Sequence, residues 1–290
     1  MNLFSKNLRC LAICSLGGLF FAATQAHAQL MPAPSPKQIV EQKIGVTTFK
    51  LDYSRPSVKE RVIFGDLVPY DTFWRTGANQ STKFSFNNDI RINDTKVPAG
   101  EYALYTFPGK KKWAVVLSSQ LQLPGQDEYD ESKEVIRFEV EPHRLNDQVE
   151  SFTIGFDQLR NAKAIMFLDW DYTRVAFEIT LNTKKHQLAN IETLLNSGRE
   201  LNARQYATIG NVWYENEIKL EKAAKMLSKA VEKRPEAFWW MNHEARIHAK
   251  IGNKEKDIKL AEKSIELAKA NERGDFGYIE RNEELIASLK

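Results

Sequence analysis

The residues best suited to chemistry crowd into one stretch. Arg55, Lys59, Arg61, Trp74, Arg75 and Asn79 all lie between Tyr53 and Asn79. Guanidinium forks match carboxylate and phosphate oxygens in pairs, an indole offers a flat stacking face, and a carboxamide both donates and accepts. Together they describe a candidate site for an anionic glycan, a sugar acid or another small anion. The same side chains have a plainer use. A long ordered connection must satisfy its own backbone, so the arginines could donate to loop carbonyls or to Asp66 and Asp71, and Trp74 could fill a core edge. Geometry separates the two uses. Convergence of Arg55, Arg61 and Arg75 on an open pocket favours a ligand, and their burial in structural contacts excludes one.

Other constellations offer less. After the leader described below, the histidines are His143, His186, His243 and His248. His243-Glu244 with His248 has a five-residue spacing, which turns the rings roughly 140° apart on a helix, where a shared metal needs i and i+4. Asp169 and Asp171 stand two apart on an expected strand and so point one way. No second carboxylate stands at a separation suited to acid–base work on sugars, and the pair reads as a solvated strand end. The acidic run Asp127-Glu128-Tyr129-Asp130-Glu131 lacks the glycine and spacing of a calcium loop. There is no nucleophile elbow, phosphate-binding glycine loop or dinucleotide fingerprint. No catalytic residue, cofactor or metal is expected.

The first 28 residues read as a secretory leader. Lys6 and Arg9 give a positive start, an apolar run follows from Cys10 to Ala23, and Ala26-His27-Ala28 precedes Gln29. Small residues at those positions place cleavage between Ala28 and Gln29. The apolar core is about 14 residues long, short of the roughly 20 that a spanning helix needs. Cys14 sits inside that core behind Ile13, which suits no lipid attachment. The expectation is an exported protein, periplasmic or secreted, with no membrane span in its mature chain. Cys10 and Cys14 are the only cysteines, so the mature chain has no disulfide and no thiol chemistry. The 41 basic and 38 acidic residues give +3, and without Lys6 and Arg9 the balance is 39 against 38. That offers no nucleic-acid footprint and no polybasic membrane signal.

The elements that must position these residues fall into two blocks, as 290 residues suggest. Residues 29–37 form a Pro-rich spacer. Across residues 38–182, short alternating or β-branched runs are separated by turns: Val46–Tyr53, Lys83–Phe86, Ile90–Ile92, Tyr102–Phe107, Trp113–Leu117, Val135–Val140, Phe152–Phe156, Ala164–Trp170 and Arg174–Leu181. This is mainly β structure, an antiparallel, jelly-roll-like β-sandwich, with an eight-stranded barrel as the alternative.

From residue 183 to 290 apolar residues recur at helical spacing. Ala223, Leu227, Ala230 and Pro235 stand at offsets 0, 4, 7 and 12, with Asn211 and Tyr214 upstream at a small-residue and a tyrosine position. This resembles a tetratricopeptide repeat, an α-helical hairpin. One period of about 34 residues later, Ala245, Gly252 and Ala261 fit a second unit in which Asp257 and Ser264 replace alanines. A helix from Phe276 to Leu289 caps the array. Tyr214, Trp239 and Trp240 are the candidate contacts for a protein or peptide partner, unless the tryptophans seal the joint between sandwich and helices.

The stretch Asp52-Tyr53-Ser54-Arg55-Pro56-Ser57-Val58-Lys59, then Arg61-Val62-Ile63-Phe64-Gly65, Val68-Pro69-Tyr70, Trp74-Arg75-Thr76-Gly77-Ala78-Asn79 and Pro98-Ala99-Gly100-Glu101-Tyr102, resembles the bacterial domain of unknown function 2911 family. The likeness spans about Gln38 to Leu181 and implies an exported protein, often with a helical repeat tail, without an assigned activity. Glu60 stands where the family usually has glycine, and Gln80-Ser81 where it tends to have Glu-Ala. The functional expectation is a non-enzymatic binding or scaffold protein that contacts a partner through its helices. The alternatives are an anion-binding sandwich acting through the Arg55–Asn79 loop and an uncharacterised hydrolase.

Overall fold

The computed structural model describes residues 31–123 and 128–289. The leader and its Ala28–Gln29 junction lie outside them. From Ser35 onward the described residues form ten strands: β1 (Lys37–Ile44), β2 (Thr47–Ser54), β3 (Thr82–Phe86), β4 (Ile90–Ile92), β5 (Thr95–Val97), β6 (Gly100–Phe107), β7 (Trp113–Ser118), β8 (Glu134–Val140), β9 (His143–Asp157) and β10 (Lys163–Leu181). They make a six-stranded sheet ordered β1-β2-β3-β6-β7-β8 and a four-stranded sheet ordered β5-β4-β10-β9. Every pairing is antiparallel.

Alternation decides which side chains meet between the sheets. Phe49, Leu51 and Tyr53 of β2, Phe84 and Phe86 of β3, and Val115 and Leu117 of β7 face inward. They pack with Ile90 and Ile92 of β4, Ile154 of β9, and Met166, Leu168, Val175 and Ile179 of β10. Polar partners on the same strands, Lys50 and Asp52 or Lys83 and Ser85, take the other face. The expected sandwich is present.

Three details depart from the sequence reading. β1 and β5 are additional strands. β1 lies at the sheet edge, where polar residues such as Lys37, Glu41 and Lys43 discourage further pairing and also hide its strand character. The runs Ala164–Trp170 and Arg174–Leu181 are one strand, bent where Asp171 takes φ +53° and the register with β9 shifts. That irregularity parts the two aspartates. Asp169 is buried and receives Nε and Nη2 of Arg174 at 2.7 and 2.6 Å, whereas Asp171 accepts from Gln148 at 2.7 Å. They are neither a pair nor a solvated end.

Six helices follow: α1 (Thr183–Asn196), α2 (Ala203–Glu215), α3 (Leu220–Lys233), α4 (Phe238–Lys250), α5 (Lys254–Lys269) and α6 (Tyr278–Ser288). Asn182, Asn202 and Asn253 cap α1, α2 and α5, and Asn202 with Gln205 forms a reciprocal capping box. Successive helices pair, and α2, α4 and α6 also touch, which is the layering of a helical-hairpin array. Ala223, Leu227, Ala230, Ala245 and Ala261 are fully buried, as their spacing predicts, and Gly252 makes the turn at φ +81°. The close-approach residue of α2 is Gly210, not Asn211. A Cβ there would stand 2.9 Å from both the Ala223 carbonyl and Leu227 Cγ. Among the described residues no helix is long and apolar enough to cross a membrane.

The two former alanine positions have opposite characters. Ser264 Oγ donates to the Phe238 carbonyl at 2.7 Å and accepts from Asn282 Nδ2 at 2.9 Å, and Asn242 Nδ2 reaches Asn282 Oδ1 at 2.8 Å. These bonds join α4, α5 and α6 through groups that are all buried. Asp257 is fully buried too, but neither carboxylate oxygen has a hydrogen-bond partner, and burial raises its pKa. A carboxyl whose folded pKa lies above its unfolded one stabilises most at low pH and loses that contribution as pH rises through the folded value. Asp257→Ala therefore raises stability at neutral pH by about 1–3 kcal/mol and flattens the loss from acid to neutral pH. Ser264→Ala lowers stability by a similar amount, because one buried Asn282 Nδ2 proton loses its acceptor while the other stays on the Tyr278 carbonyl. Thermal melts of both variants between acid and neutral pH check the opposite signs.

Candidate functional site

The connection from Arg55 to Ser81 crosses one end of the sandwich, fastened to each sheet in turn. At its start, the Val58 amide donates to the Glu150 carbonyl at 2.8 Å and the Phe152 amide to the Pro56 carbonyl at 2.9 Å, tying it to β9. Arg55 adds Nε to the Phe152 carbonyl at 2.8 Å and Nη2 to Thr153 Oγ1 at 2.6 Å. Arg61 closes the following turn through the Ser57 and Val58 carbonyls at 2.5 and 3.0 Å. That turn holds Lys59 at φ +48° and Glu60 at φ +58°. The tight left-handed turn forms despite the non-glycine residue, at a cost of about 1 kcal/mol or more for each such position.

Further on, the connection joins the six-stranded sheet. Trp74 exchanges both backbone bonds with Thr106 of β6, at 2.8 and 3.0 Å. Its indole is buried, stacked on Trp170 with centroids 5.6 Å apart at 18°, and edge-on to Phe152 at 5.1 Å. Nε1 donates to the Gly77 carbonyl at 3.0 Å. Trp74 is therefore a core residue and gives no face to a ligand. Thr76 is buried at φ +55°, its hydroxyl 3.0 Å from Thr106 Oγ1 and its carbonyl accepting from Thr82 Oγ1 at 2.5 Å. A β-branched residue at positive φ is a true strain, held here by bonds on both sides.

The six candidate residues thus divide. Arg55 and Arg61 serve carbonyls on the connection and β9, Trp74 fills the core, and the Lys59 amide reaches Glu150 Oε1 at 3.1 Å. Among the described residues no arginine pairs with Asp66 or Asp71. The three arginines do not converge. Arg75 and Asn79 alone remain at an opening, a cleft of about 330 Å³ completed by Gln80, Ser81, Lys83, Leu121, Gln122 and Leu123. Arg75 Nη1 donates to the Asn79 carbonyl at 2.5 Å, and Asn79 Nδ2 reaches Ser35 O and Ser54 Oγ, each at 3.2 Å. Strand alternation could have added Lys83, which must face outward if Phe84 faces the core. The Leu121–Leu123 wall is far away in sequence and carries no signal.

On the helices, Trp240 is buried and Trp239 half-buried in the helical core, where Arg234 lies over both rings at 5.9 and 5.2 Å. That core is built from Ile191, Ile209, Leu227, Ile247 and their neighbours, so both tryptophans pack within the helical array. Tyr214 is half-buried, with Arg246 and Lys250 over its ring at 5.8 and 5.9 Å. On α6, Arg281 lies 4.9 Å from the Tyr278 ring. Arg246 and Arg281 open onto one cleft of about 410 Å³ with Glu284, Leu285 and Ser288. Asn211 Oδ1 holds His243 Nδ1 at 3.0 Å. Burial, then the nearby charges of Arg246 and Arg281, push that imidazole down to about 4. His248 is separately buried 3.6 Å from Glu244, so the two histidines do face apart.

A family model described as protein of unknown function (DUF2911) matches residues 35–179, half of the chain. The chain belongs to this family. No curated protein matches it. Among solved structures, the crystal structure of PcrH from Pseudomonas aeruginosa is similar at 14% identity and a TM-score of 0.29, over 37% of this chain and 92% of that one.

The matched DUF2911 segment includes the whole connection and both sheets, so its distinctive residues are mainly those that build the sandwich end. The consequences for stability are opposite at two positions of that connection. Trp74→Ala removes the centre of the aromatic cluster and costs about 3–5 kcal/mol. Glu60→Gly relieves a left-handed residue and gains up to about 1 kcal/mol. Denaturant unfolding followed by near-ultraviolet circular dichroism measures both.

Proposed function

We propose that this protein is an exported, non-catalytic binding protein in which the DUF2911 sandwich is a rigid base and the helical array docks an acidic segment of a protein partner. The observation that carries the reading is the pair Arg246 and Arg281. Each guanidinium rests on a tyrosine, and both open onto the same cleft. Among the described residues neither forms an ion pair, although Glu284 lines the cleft too. Cations held against aromatic faces and left without an ion-pair partner suit incoming carboxylates. The depressed His243 is consistent with an un-neutralised positive field there. Layered helices present a surface wider than either arginine alone, which suits a peptide segment. Tyr214 keeps the partner-facing role that its position suggests, as the platform under Arg246. Trp239 and Trp240 stabilise the array.

Export rests on the leader, with its positive start, apolar core and Ala-x-Ala ending. One preparation tests both halves of the proposal. The full chain, tagged at its C-terminus and expressed in a bacterial host, is recovered from the envelope and sequenced from its N-terminus. The expected first residue is Gln29. The partner retained in a pulldown carries an acidic segment and is lost at least about tenfold in Arg246→Glu/Arg281→Glu, with the loss mimicked by high salt. An unprocessed chain contradicts export, and equal retention by the double variant contradicts docking on this face.

A further inference from the structure

The cleft beside β3 is independent of the helical face, and its chemistry is more specific. We infer that it binds a small hydroxylated carboxylate of the sugar-acid class.

Its position comes from the fold. Ser81 and Lys83 lie on the outer face of the six-stranded sheet, opposite the core-facing Thr82 and Phe84. Two segments rise over that face. One is the Trp74-anchored end of the connection, which supplies Arg75, Asn79 and Gln80. The other is the segment after β7, which supplies Leu121, Gln122 and Leu123. Leu123 is buried in a small outer cluster with Ala103, Tyr105 and Val116, and Phe73 and Tyr129 pack against it. The cleft is thus walled by residues fixed at their backs. Its volume of about 330 Å³ lies at the small end of ligand pockets, suited to one sugar-sized molecule.

The charge is one-sided. Arg75 and Lys83 are the ionic side chains lining the cleft, and both are cationic. The nearest acid across the strands, Asp52, is opposite Lys83 in the β2–β3 register but holds Lys37 Nζ at 2.9 Å. A carboxylate placed between Arg75 and Lys83 therefore meets two donors that no described acid occupies.

The hydroxyl preference follows from a proton order. Tyr105 Oη is 2.7 Å from the Gln120 carbonyl, which can only accept, so the phenol must donate there. Ser81 Oγ, 3.1 Å from the same phenol oxygen, is then the donor of that pair. Its proton is spent, and in the cleft Ser81 offers lone pairs alone. A ligand hydroxyl can donate to it, whereas a simple carboxylate has no proton to give, and inorganic phosphate, which keeps a P–OH, has no C–H face for the leucine wall. Gln80 and Gln122 add adaptable amides, and Leu121 and Leu123 supply apolar wall for the C–H face of a sugar ring.

The test uses calorimetric titration of the full chain with D-glucuronate and D-galacturonate, alongside D-glucose, acetate and inorganic phosphate. A tri-galacturonate arm separates a free acid from a polymer as the natural source. The expected result is binding of the uronates, at least tenfold tighter than acetate, phosphate or glucose. Gln80→Glu sets a carboxylate beside both cations without changing side-chain size, and Lys83→Met removes one charge. Each weakens uronate binding at least tenfold while leaving the thermal midpoint unchanged. No uronate binding at millimolar concentration overturns the inference. So does phosphate or acetate binding as tightly as the uronates, or full binding by both variants.

Discussion

Everything in the sandwich end depends on where Trp74 goes. Its ring is buried between the sheets against Trp170, Phe152 and Trp113, while its backbone forms a two-bond bridge with Thr106. Burying an indole of this size is worth several kcal/mol, more than any single hydrogen bond along the connection contributes. The ring therefore fixes the chain, and its neighbours must adapt. Thr76 accepts a left-handed backbone, Asn79 another, and Gly77 lies at φ +147° with its Cβ position 3.0 Å from the Ser54 carbonyl. Arg75, one residue beyond the tryptophan, is directed outward by the same alternation.

The polar residues around that anchor are divided by what they leave unsatisfied. Arg55 and Arg61 spend their donors on carbonyls of β9 and of the connection itself, so they belong to the fold. Arg75 spends one nitrogen on Asn79 and keeps the rest toward the cleft. The helical half follows the same rule. Arg234 lies over Trp239 and Trp240 and pairs with Glu236 at 2.8 Å, which occupies it, while Arg246 and Arg281 have rings behind them and, among the described residues, no ion-pair partner. Binding capacity in this molecule is a matter of donors left over after the backbone and neighbouring acids have taken theirs.

Sequence carried the architecture well because burial imposes a period. β2 and β3 alternate visibly, and α3 repeats its alanines and leucine at helical spacing. Edge strand β1 and the continuous β10 were hidden for physical reasons. An edge needs polar residues that dilute the pattern, and a bulge at Asp171 resets the phase so that one strand looks like two. The site was only partly legible. Residue types singled out the connection but could not say which donors face inward, since Arg55, Arg61 and Arg75 look equivalent until their carbonyl partners are known. Ser264 and Asp257 make the same point in the helices. Both break an alanine pattern, and only their surroundings show that one is bridged and the other stranded.

Hydrogen exchange at the Trp74 amide tests the account most directly. If the connection is part of the sandwich core, that amide exchanges as slowly as those of the central strand β3, and Val68, bonded to the Ile63 carbonyl at 2.8 Å, is protected with it. Exchange at the rate of an exposed turn amide such as that of Glu60 would mean that Trp74 does not hold the connection, and the fixed cleft beside it would not exist.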